Sequence, residues 1–211
     1  LPETIFAHGW WTVDGEKMSK SRGNVVDPNK MVDEFGADAF RYFLLREVPF
    51  GQDGDFSQSA MISRINSDLA NGVGNLLSRT LTMIEKYCGG EAPKRGLELD
   101  AVGTELETQA HSVFDAIEIQ MSQLQFHRAL DLIWSLVHLA DEYIEAKQPW
   151  KLAKDPANAR LLEGVLYNVA ETLRHVTLHL YPFMPNSAEA MAKQLGLSFD
   201  FSKPLPEHSS E

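Results

Sequence analysis

The sequence predicts a mainly α-helical protein, in which a small β/α segment precedes a larger helical bundle. From residue 57 onward, apolar residues recur at the three- and four-residue spacing of amphipathic helices. In the first 55 residues, by contrast, glycines recur and the apolar runs are short. Glycines and prolines fall between the later periodic segments, which is where antiparallel helices of a bundle are connected.

The β/α segment opens with a predicted β-hairpin. Residues 6–13 have a strand-like pattern, and Asp14 and Gly15 follow them directly. This dipeptide favours a two-residue type I′ turn, because both of its central positions need a positive φ angle. A return strand at about residues 16–18 then leaves residues 19–24 as an exposed loop.

Two helices are predicted next. Residues 37–47 place their large apolar side chains on one helical face, namely Phe40, Phe43 and Leu44. Ser57 or Ser59 is suited to cap a second, long helix that ends at Gly89 and Gly90. If this helix is unbroken, it spans about 45 Å.

The remaining residues predict an antiparallel bundle. Residues 91–100 are expected to be a polar linker, and the last dozen residues are expected to be unstructured. Heptad-like apolar stripes predict four further helices, at about residues 104–123, 126–146, 158–180 and 187–195.

Composition excludes several classes of protein. The 30 Asp and Glu residues exceed the 19 Lys and Arg residues, and the net charge of −11 argues against indiscriminate nucleic-acid binding. A single cysteine, Cys88, excludes an internally disulfide-bonded secreted module and favours a cytoplasmic location. No apolar run reaches the roughly 18–20 residues of a membrane span. Because the chain begins with Leu1 and lacks an initiator methionine, we expect a fragment or a processed product.

A cationic loop is the first candidate site. Its six residues carry three cations and two hydroxyl groups, in the order Lys17, Met18, Ser19, Lys20, Ser21 and Arg22. No acidic residue lies between Glu16 and Asp27, and Gly15 and Gly23 flank the loop. Ammonium groups, hydroxyls and free backbone N–H groups bind polyphosphates, and flanking glycines allow a loop to close on a ligand. Composition alone leaves a solvated basic turn as the alternative.

A polar row on the predicted long helix is the second candidate. Asn71, Asn75 and Arg79 follow one another at a spacing of four residues, which places them on one helical face. Such a row can hydrogen-bond and stack on the splayed bases of an RNA loop. The alternative is an ordinary polar stripe on a surface helix. Gly72 and Gly74 lower the helix propensity here and indicate a close approach of the backbone.

Trp150 is the third candidate. It follows Pro149 at the end of the helix predicted at residues 126–146, and Lys147, Lys151 and Lys154 surround it. An aromatic ring among lysines is suited to base stacking combined with phosphate contacts. The alternative is a tryptophan that only packs against its neighbours.

Histidines and the other tryptophans receive plainer interpretations. His175 and His179 lie four residues apart in an apolar helix without the acidic residue of an HExxH zinc site, so we expect core or surface residues. Trp10 and Trp11 alternate on a predicted strand, so we expect one to pack inward and the other to be placed to line a nucleotide site.

The string KMSKS at residues 17–21 resembles the signature loop of class I aminoacyl-tRNA synthetases. Its surroundings are similar to the methionyl-tRNA synthetase family in particular. The similar segments are residues 8–16, 22–28, 35–38, 41–47 and 53–57. This resemblance covers nearly the whole chain and is strongest through residue 57.

The resemblance implies a fold, an activity and a set of site residues. Residues 1–56 would end a Rossmann-type catalytic domain and contact the tRNA stem, and residues 57–211 would form an α-helical anticodon-binding domain. The implied activity is that of a methionine–tRNA ligase, which uses ATP with Mg²⁺ to attach methionine to tRNA-Met. By the family's motifs, Lys17 and Lys20 act in catalysis. ATP is held by Lys17, Met18, Ser19, Lys20 and Ser21, and the CAU anticodon is read by Asn71, Asn75, Arg79 and Trp150.

The chain also departs from the family pattern. It has no HIGH motif, the second signature of the class I active site, so these residues alone are expected not to activate methionine. It has no cysteine cluster either, so zinc is not expected here, and the oligomeric state stays open. Two alternatives to this interpretation are another class I synthetase and a non-catalytic tRNA-binding module that retains the loop as a relic.

Overall fold

Helices dominate the computed structural model, which describes residues 2–95 and 101–200, and the prediction of a mainly α-helical chain is confirmed. The predicted tail beyond residue 200 and half of the predicted linker lie outside the described residues. A three-stranded sheet consists of β1 (Trp11–Val13), β2 (Glu16–Lys17) and β3 (Gly54–Phe56). The helices are α1 (Pro28–Phe35), α2 (Ala37–Glu47), α3 (Gln58–Arg64), α4 (Asn75–Cys88), α5 (Ala101–Ser122), α6 (Phe126–Lys147), α7 (Pro149–Leu152), α8 (Ala159–Leu180) and α9 (Pro185–Gln194).

The predicted hairpin is confirmed, and it pairs with a further strand that was not predicted. Strands β1 and β2 pair antiparallel, with Thr12 opposite Lys17. Asp14 and Gly15 have φ angles of 54° and 72°, as the type I′ turn requires. Strand β3 pairs in parallel with the other edge of β1. The Asp55 carboxylate of β3 accepts hydrogen bonds from the Thr12 hydroxyl at 2.6 Å and from the Gly15 amide at 2.9 Å.

Helix α1 was also missed, although its start has a recognisable signal. Asp27 accepts a hydrogen bond from the Asn29 amide at 3.0 Å, and Pro28 occupies the first helical position. An acidic N-cap followed by proline is typical of a helix start. Helix α2 has the bounds predicted for it. Its Phe43 is fully buried and packs edge-on against Phe56 beneath the small sheet.

The long helix predicted from Ser57 to Gly89 is interrupted, so the condition for its 45 Å length is not met. Ser57 does cap its start, but a π-helical segment (Ile65–Gly74) separates α3 from α4. Inside this segment Gly72 has φ −87° and ψ −107°, which is not a helical conformation. The backbone is tightly packed here, because a Cβ atom on Gly74 would lie 2.7 Å from the Leu69 carbonyl oxygen. The two low-propensity glycines therefore mark a real interruption of the helix.

The bundle core lies between α4, α5, α6 and α8. The bounds of α5, α6 and α8 differ from the predicted ones by at most three residues at each end, whereas α4 is only the second half of the long helix predicted from Ser57. Each helix contributes an apolar stripe to one buried cluster, which includes Leu76, Leu106, Val113, Ile133, Val137, Val169, Leu173 and Val176. The packing of these stripes provides most of the stability of such helices.

Helix α2 closes one end of this bundle through its polar side chains. The buried Asp38 carboxylate accepts a hydrogen bond of 2.6 Å from the Ser187 amide in the first turn of α9. Arg41, one turn further along, donates to the carbonyl groups of Pro182 at 2.8 Å and Phe183 at 3.1 Å. Helix α2 thus satisfies two carbonyl groups within the α8–α9 connection and one amide in the first turn of α9, where a helix leaves its amides without intrahelical partners.

A second polar contact joins α2 to the π-helical segment and to α6. The Tyr42 hydroxyl donates to the Asp68 carboxylate at 2.6 Å, and burial together with this hydrogen bond raises the pKa of Tyr42. Arg46 forms an ion pair of 2.7 Å with Asp131 of α6. Arg64 of α3 lies 3.5 Å from the same Asp68 carboxylate. The small β/α segment is therefore held on the bundle by the Tyr42 hydrogen bond and the Arg46 ion pair.

The Asp38 contact generates a stability prediction. Asp38→Ala removes the acceptor and leaves the Ser187 amide unpaired at a partly buried position, so the free energy of unfolding should fall by about 1–3 kcal/mol. Urea titration followed by circular dichroism measures this change. Asp33→Ala, which removes an exposed carboxylate of α1, is the matched control and should change it by less than about 0.5 kcal/mol. Equal unfolding midpoints for the two variants would contradict the capping role of Asp38.

Candidate functional site

The hairpin presents the cationic loop at the surface, as predicted. Lys20, Ser21 and Arg22 are exposed, whereas the Met18 side chain packs into the cluster around Phe43. A tight turn follows, in which the Arg22 and Gly23 amides both donate to the Ser19 carbonyl oxygen at 3.1 Å. Met18 therefore anchors one end of the loop, while the charged and hydroxyl side chains face solvent.

Asn24 braces this loop and was not singled out from the sequence. Its side-chain oxygen accepts a hydrogen bond from the Ser19 amide at 2.8 Å, and its amide nitrogen donates to the Lys17 carbonyl at 3.3 Å. The hydroxyls of Ser19 and Ser21 also form a hydrogen bond of 2.8 Å. Asparagine is typical of such local side-chain-to-backbone contacts, and this is the signal that was available in the sequence.

The three cations of the loop differ in their surroundings. Arg22 forms an ion pair of 2.6 Å with Glu16, so an acidic residue does offset one of the charges. The Lys17 ammonium lies 4.7 Å from the centre of the Trp10 ring. The Lys20 ammonium has no ion-pair partner among the described residues. The lysines therefore keep their charge available to an anionic ligand, whereas the charge of Arg22 is partly offset.

The predicted polar row is only partly continuous. Asn75 and Arg79 are one turn apart on α4, and Asn75 is exposed. Asn71 is exposed too, but it belongs to the π-helical segment and lies on the other side of the break at Gly72. The regular four-residue spacing therefore does not extend from Asn75 back to Asn71.

Arg79 connects α4 to the end of α6 that leads to Trp150. Its guanidinium lies 2.7 Å from the Glu145 carboxylate and 3.6 Å from that of Asp141, both on α6. Burial raises the pKa of Asp141, and the positive charge of Arg79 partly opposes this effect. Glu145 precedes Trp150 by five residues, so these ion pairs hold α4 against the helix end that carries the tryptophan.

Trp150 lies on the short helix α7 and is 36% exposed. The chain turns sharply before it, because Gln148 has a φ angle of 48° and Pro149 is buried. Two residues later, Leu152 packs into an apolar cluster that contains Ile84 of α4. That cluster also contains Leu162 and Leu166 of α8, so α4 and α7, which carry the candidate residues, both pack against α8.

The two histidines of α8 belong to the core. His175 and His179 are each 3% exposed, and His175 Nε2 lies 3.4 Å from Glu171. Burial alone would raise the pKa of Glu171, but hydrogen bonds from His175 and Arg174 lower it to about 2. Burial lowers the pKa of His179 to about 4, and neither of its ring nitrogens has a hydrogen-bond partner within the described ranges. In residues 2–95 and 101–200, no three His, Cys, Asp or Glu side chains are grouped as metal ligands.

His179 generates a pH-dependence prediction. Because its pKa is lower in the folded chain than the ordinary value of about 6.5, the unfolded state binds more protons as the pH falls below 6.5. The contribution of the neutral His179 to folding stability is therefore fully present above pH 6.5 and is lost progressively as the pH falls towards 4. Between pH 7 and pH 5 this single group should cost on the order of 2 kcal/mol of unfolding free energy.

The measurement compares urea unfolding of the wild type and His179→Phe at both pH values. The variant keeps an apolar aromatic ring next to Phe114 and should lose most of this pH dependence. His138→Gln, at an exposed position of α6, should retain it. An unchanged pH slope in His179→Phe would show that other groups cause the acid sensitivity.

Comparison with known proteins places this chain among tRNA ligases. The family model described as tRNA synthetases class I (M) matches residues 1–81, and the model described as the anticodon-binding domain of tRNA ligase matches residues 104–210. A methionine–tRNA ligase of Caldanaerobacter subterraneus is 52% identical over 96% of this chain and 32% of that protein. One of Clostridium acetobutylicum is 46% identical over 95% of this chain and 31% of that protein. The chain thus spans about a third of the length of these curated relatives.

The fold is also that of a solved structure. Mycobacterium tuberculosis methionyl-tRNA synthetase in complex with methionyl-adenylate superimposes with a TM-score of 0.90 at 41% identity, over 94% of this chain and 39% of that chain. The predicted order, a small β/α segment followed by an anticodon-binding type of helical domain, is confirmed by these matches. Within residues 2–95 and 101–200, no helix is both long and apolar enough to cross a membrane.

Proposed function

We propose, on the premise that this chain belongs to the methionyl-tRNA synthetase family, that it is the part of a methionine–tRNA ligase that binds ATP phosphates and reads the tRNA anticodon. The observation that carries the proposal is the match of one chain to both family models in succession. Residues 1–56 serve as the end of the catalytic domain with its stem-contact segment, and residues 57–211 serve as the anticodon-binding domain. The names of the curated relatives favour methionine over the substrates of other class I synthetases.

In the proposed reaction the KMSKS loop (residues 17–21) acts on ATP. The methionine carboxylate attacks the α-phosphate of ATP, which forms methionyl-adenylate and releases pyrophosphate. A hydroxyl of the tRNA's terminal ribose then attacks the methionyl carbonyl carbon, and AMP leaves. Lys17 and Lys20 stabilise the negative charge that develops on the leaving phosphates, a type of contact worth a few kcal/mol each. Ser19 and Ser21 contribute hydroxyl donors, Met18 contributes backbone and anchors the loop, and Mg²⁺ arrives with the ATP. No covalent enzyme intermediate is required, since orientation and charge stabilisation suffice.

The proposed anticodon surface consists of Asn71, Asn75, Arg79 and Trp150. The amides of Asn71 and Asn75 hydrogen-bond base edges of the CAU anticodon, while Arg79 and Trp150 offer planar groups on which splayed bases stack. Support comes from the exposure of Trp150 and from the ion pair that ties Arg79 to the helix end beside it. The acidic body, with a net charge of −11, disfavours binding of unrelated RNA and leaves recognition to these side chains. We further propose a cytoplasmic location for this activity.

Binding of tRNA by this chain tests the anticodon proposal. We expect a tRNA with a CAU anticodon to bind more tightly than the same tRNA with one anticodon base changed, by about 1–3 kcal/mol. Trp150→Ala should abolish most of this difference, because the stacking surface is lost. Titration calorimetry at fixed ionic strength measures both affinities, since phosphate contacts make them salt-dependent.

Two matched variants control this experiment. Ile119→Ala removes an exposed apolar side chain from α5, and Arg128→Ala removes an exposed guanidinium at the opposite end of α6 from Trp150. Both should keep the preference for CAU, whereas Arg79→Ala should weaken it. If the wild-type chain bound the two tRNAs equally, the proposal that this surface reads the anticodon would be wrong.

The absence of a HIGH motif from these 211 residues gives a further prediction. We expect the chain alone to catalyse no methionine-dependent exchange of labelled pyrophosphate into ATP, because half of the groups that surround ATP in the family are missing from it. The exchange assay measures this directly. A rate above background that Lys20→Met removes would instead mean that the loop and its surroundings suffice for activation.

A further inference from the structure

We propose that Trp10 is a positioning residue for Lys17. The Trp10 ring holds the Lys17 ammonium group in place, while the charge and the N–H donors of that group stay free for a phosphate. The inference rests on the proposed function, because that function gives Lys17 its phosphate ligand. It assigns a role in polyphosphate binding to a side chain that lies outside the KMSKS loop.

The hairpin register brings the two side chains together. Lys17 lies directly opposite Thr12 in the antiparallel pair of strands. Because side chains alternate along a strand, Trp10 projects on the same face as Thr12 and is the diagonal neighbour of Lys17. The Lys17 Nζ atom accordingly lies 4.7 Å from the centre of the Trp10 ring, within the range of a cation–π contact.

The backbone fixes Trp10, although its side chain is exposed. The Trp10 amide donates to the Asp53 carboxylate at 2.6 Å, and its carbonyl oxygen accepts from the Gly54 amide at 2.8 Å. Gly9, just before it, is so close to the chain that a Cβ atom there would lie 2.1 Å from the Gln52 carbonyl oxygen. Trp10 nevertheless remains 67% exposed. Its ring is therefore a solvent-facing platform on a fixed backbone.

An aromatic ring and a carboxylate affect the charge of a bound side-chain cation differently. The Arg22 guanidinium faces the Glu16 carboxylate at 2.6 Å, so its positive charge is offset and donors are occupied. The quadrupole of an indole ring attracts an ammonium group but carries no net charge and takes no conventional hydrogen bond. Lys17 is thus restrained before a ligand arrives, and less rotamer freedom remains to be lost on binding.

The test uses the 211-residue chain and inorganic tripolyphosphate at constant ionic strength. Nuclear magnetic resonance signals of the amides of residues 19–23 report binding, and the upfield ring-current shift of the Lys17 ε-methylene group reports the contact itself. Trp10→Leu should abolish that shift and weaken tripolyphosphate binding about two- to fivefold, the worth of an exposed cation–π contact. Trp10→Phe, which keeps an aromatic face, should bind with intermediate affinity and serves where the leucine variant disturbs the hairpin.

A double-mutant cycle separates positioning from other roles. Lys17→Met should weaken binding more than Lys30→Met, which removes the same charge from exposed α1. In the Lys17→Met background, Trp10→Leu should have no further effect, because the residue it positions is gone. An equal loss in both backgrounds would overturn the inference, since Trp10 would then act without Lys17.

The remaining outcomes distinguish the two proposals. If Lys17→Met weakens binding but Trp10→Leu and Trp10→Phe bind as the wild type does, positioning by Trp10 is wrong and the phosphate role of the loop survives. If Lys17→Met binds no more weakly than Lys30→Met, the phosphate role of Lys17 fails, and the inference fails with it.

Discussion

The polar face of α2 fixes the small β/α segment on the bundle, and the placement of the cationic loop that this segment carries depends on it. Asp38 and Arg41 satisfy backbone groups around the α8–α9 connection, while Tyr42 and Arg46 reach carboxylates of the π-helical segment and α6. From the same helix, Phe43 packs beneath the sheet that carries the loop. Buried polar groups of this kind are stable only when their partners are all in place. The contacts of α2 therefore favour a single orientation of the hairpin relative to the bundle.

Local signals made most of the fold predictable from the sequence, and the exceptions have non-local causes. The Asp14 and Gly15 turn and the amphipathic helices depend on residues close in the chain, and both were found where expected. Strand β3 has only three residues and pairs in parallel with a strand 43 positions earlier, so it is too short and too distant in sequence for hydrophobic periodicity to reveal it. The break at Gly72 had a local signal in the two glycines, but its contact with the indole of Trp134 joins residues far apart in the sequence.

For the candidate sites, the residue types could be predicted but their partners could not. A run of lysines and serines indicates phosphate chemistry, yet which charge stays available depends on Glu16 and Trp10, which the fold places beside the loop. Arg79 could be assigned to a helix face, but its ion pair is with Glu145, 66 residues later. Contacts between residues so far apart in the sequence arise from tertiary packing, and they cannot be predicted from a single sequence.

The hydrogen bond between Asp38 and Ser187 has a consequence for the order in which the chain assembles. The two residues are 149 positions apart, so the contact closes a loop that contains most of the molecule. During synthesis on the ribosome, α2 emerges before α9, so its carboxylate has no partner until α9 has been made. Forming such a long-range contact is slow, because the entropy of closing the loop is lost before the contact can contribute favourable energy. Helix α2 is therefore made well before its partner in α9, and until that contact forms the nascent chain presents an unpaired Asp38 carboxylate to its surroundings.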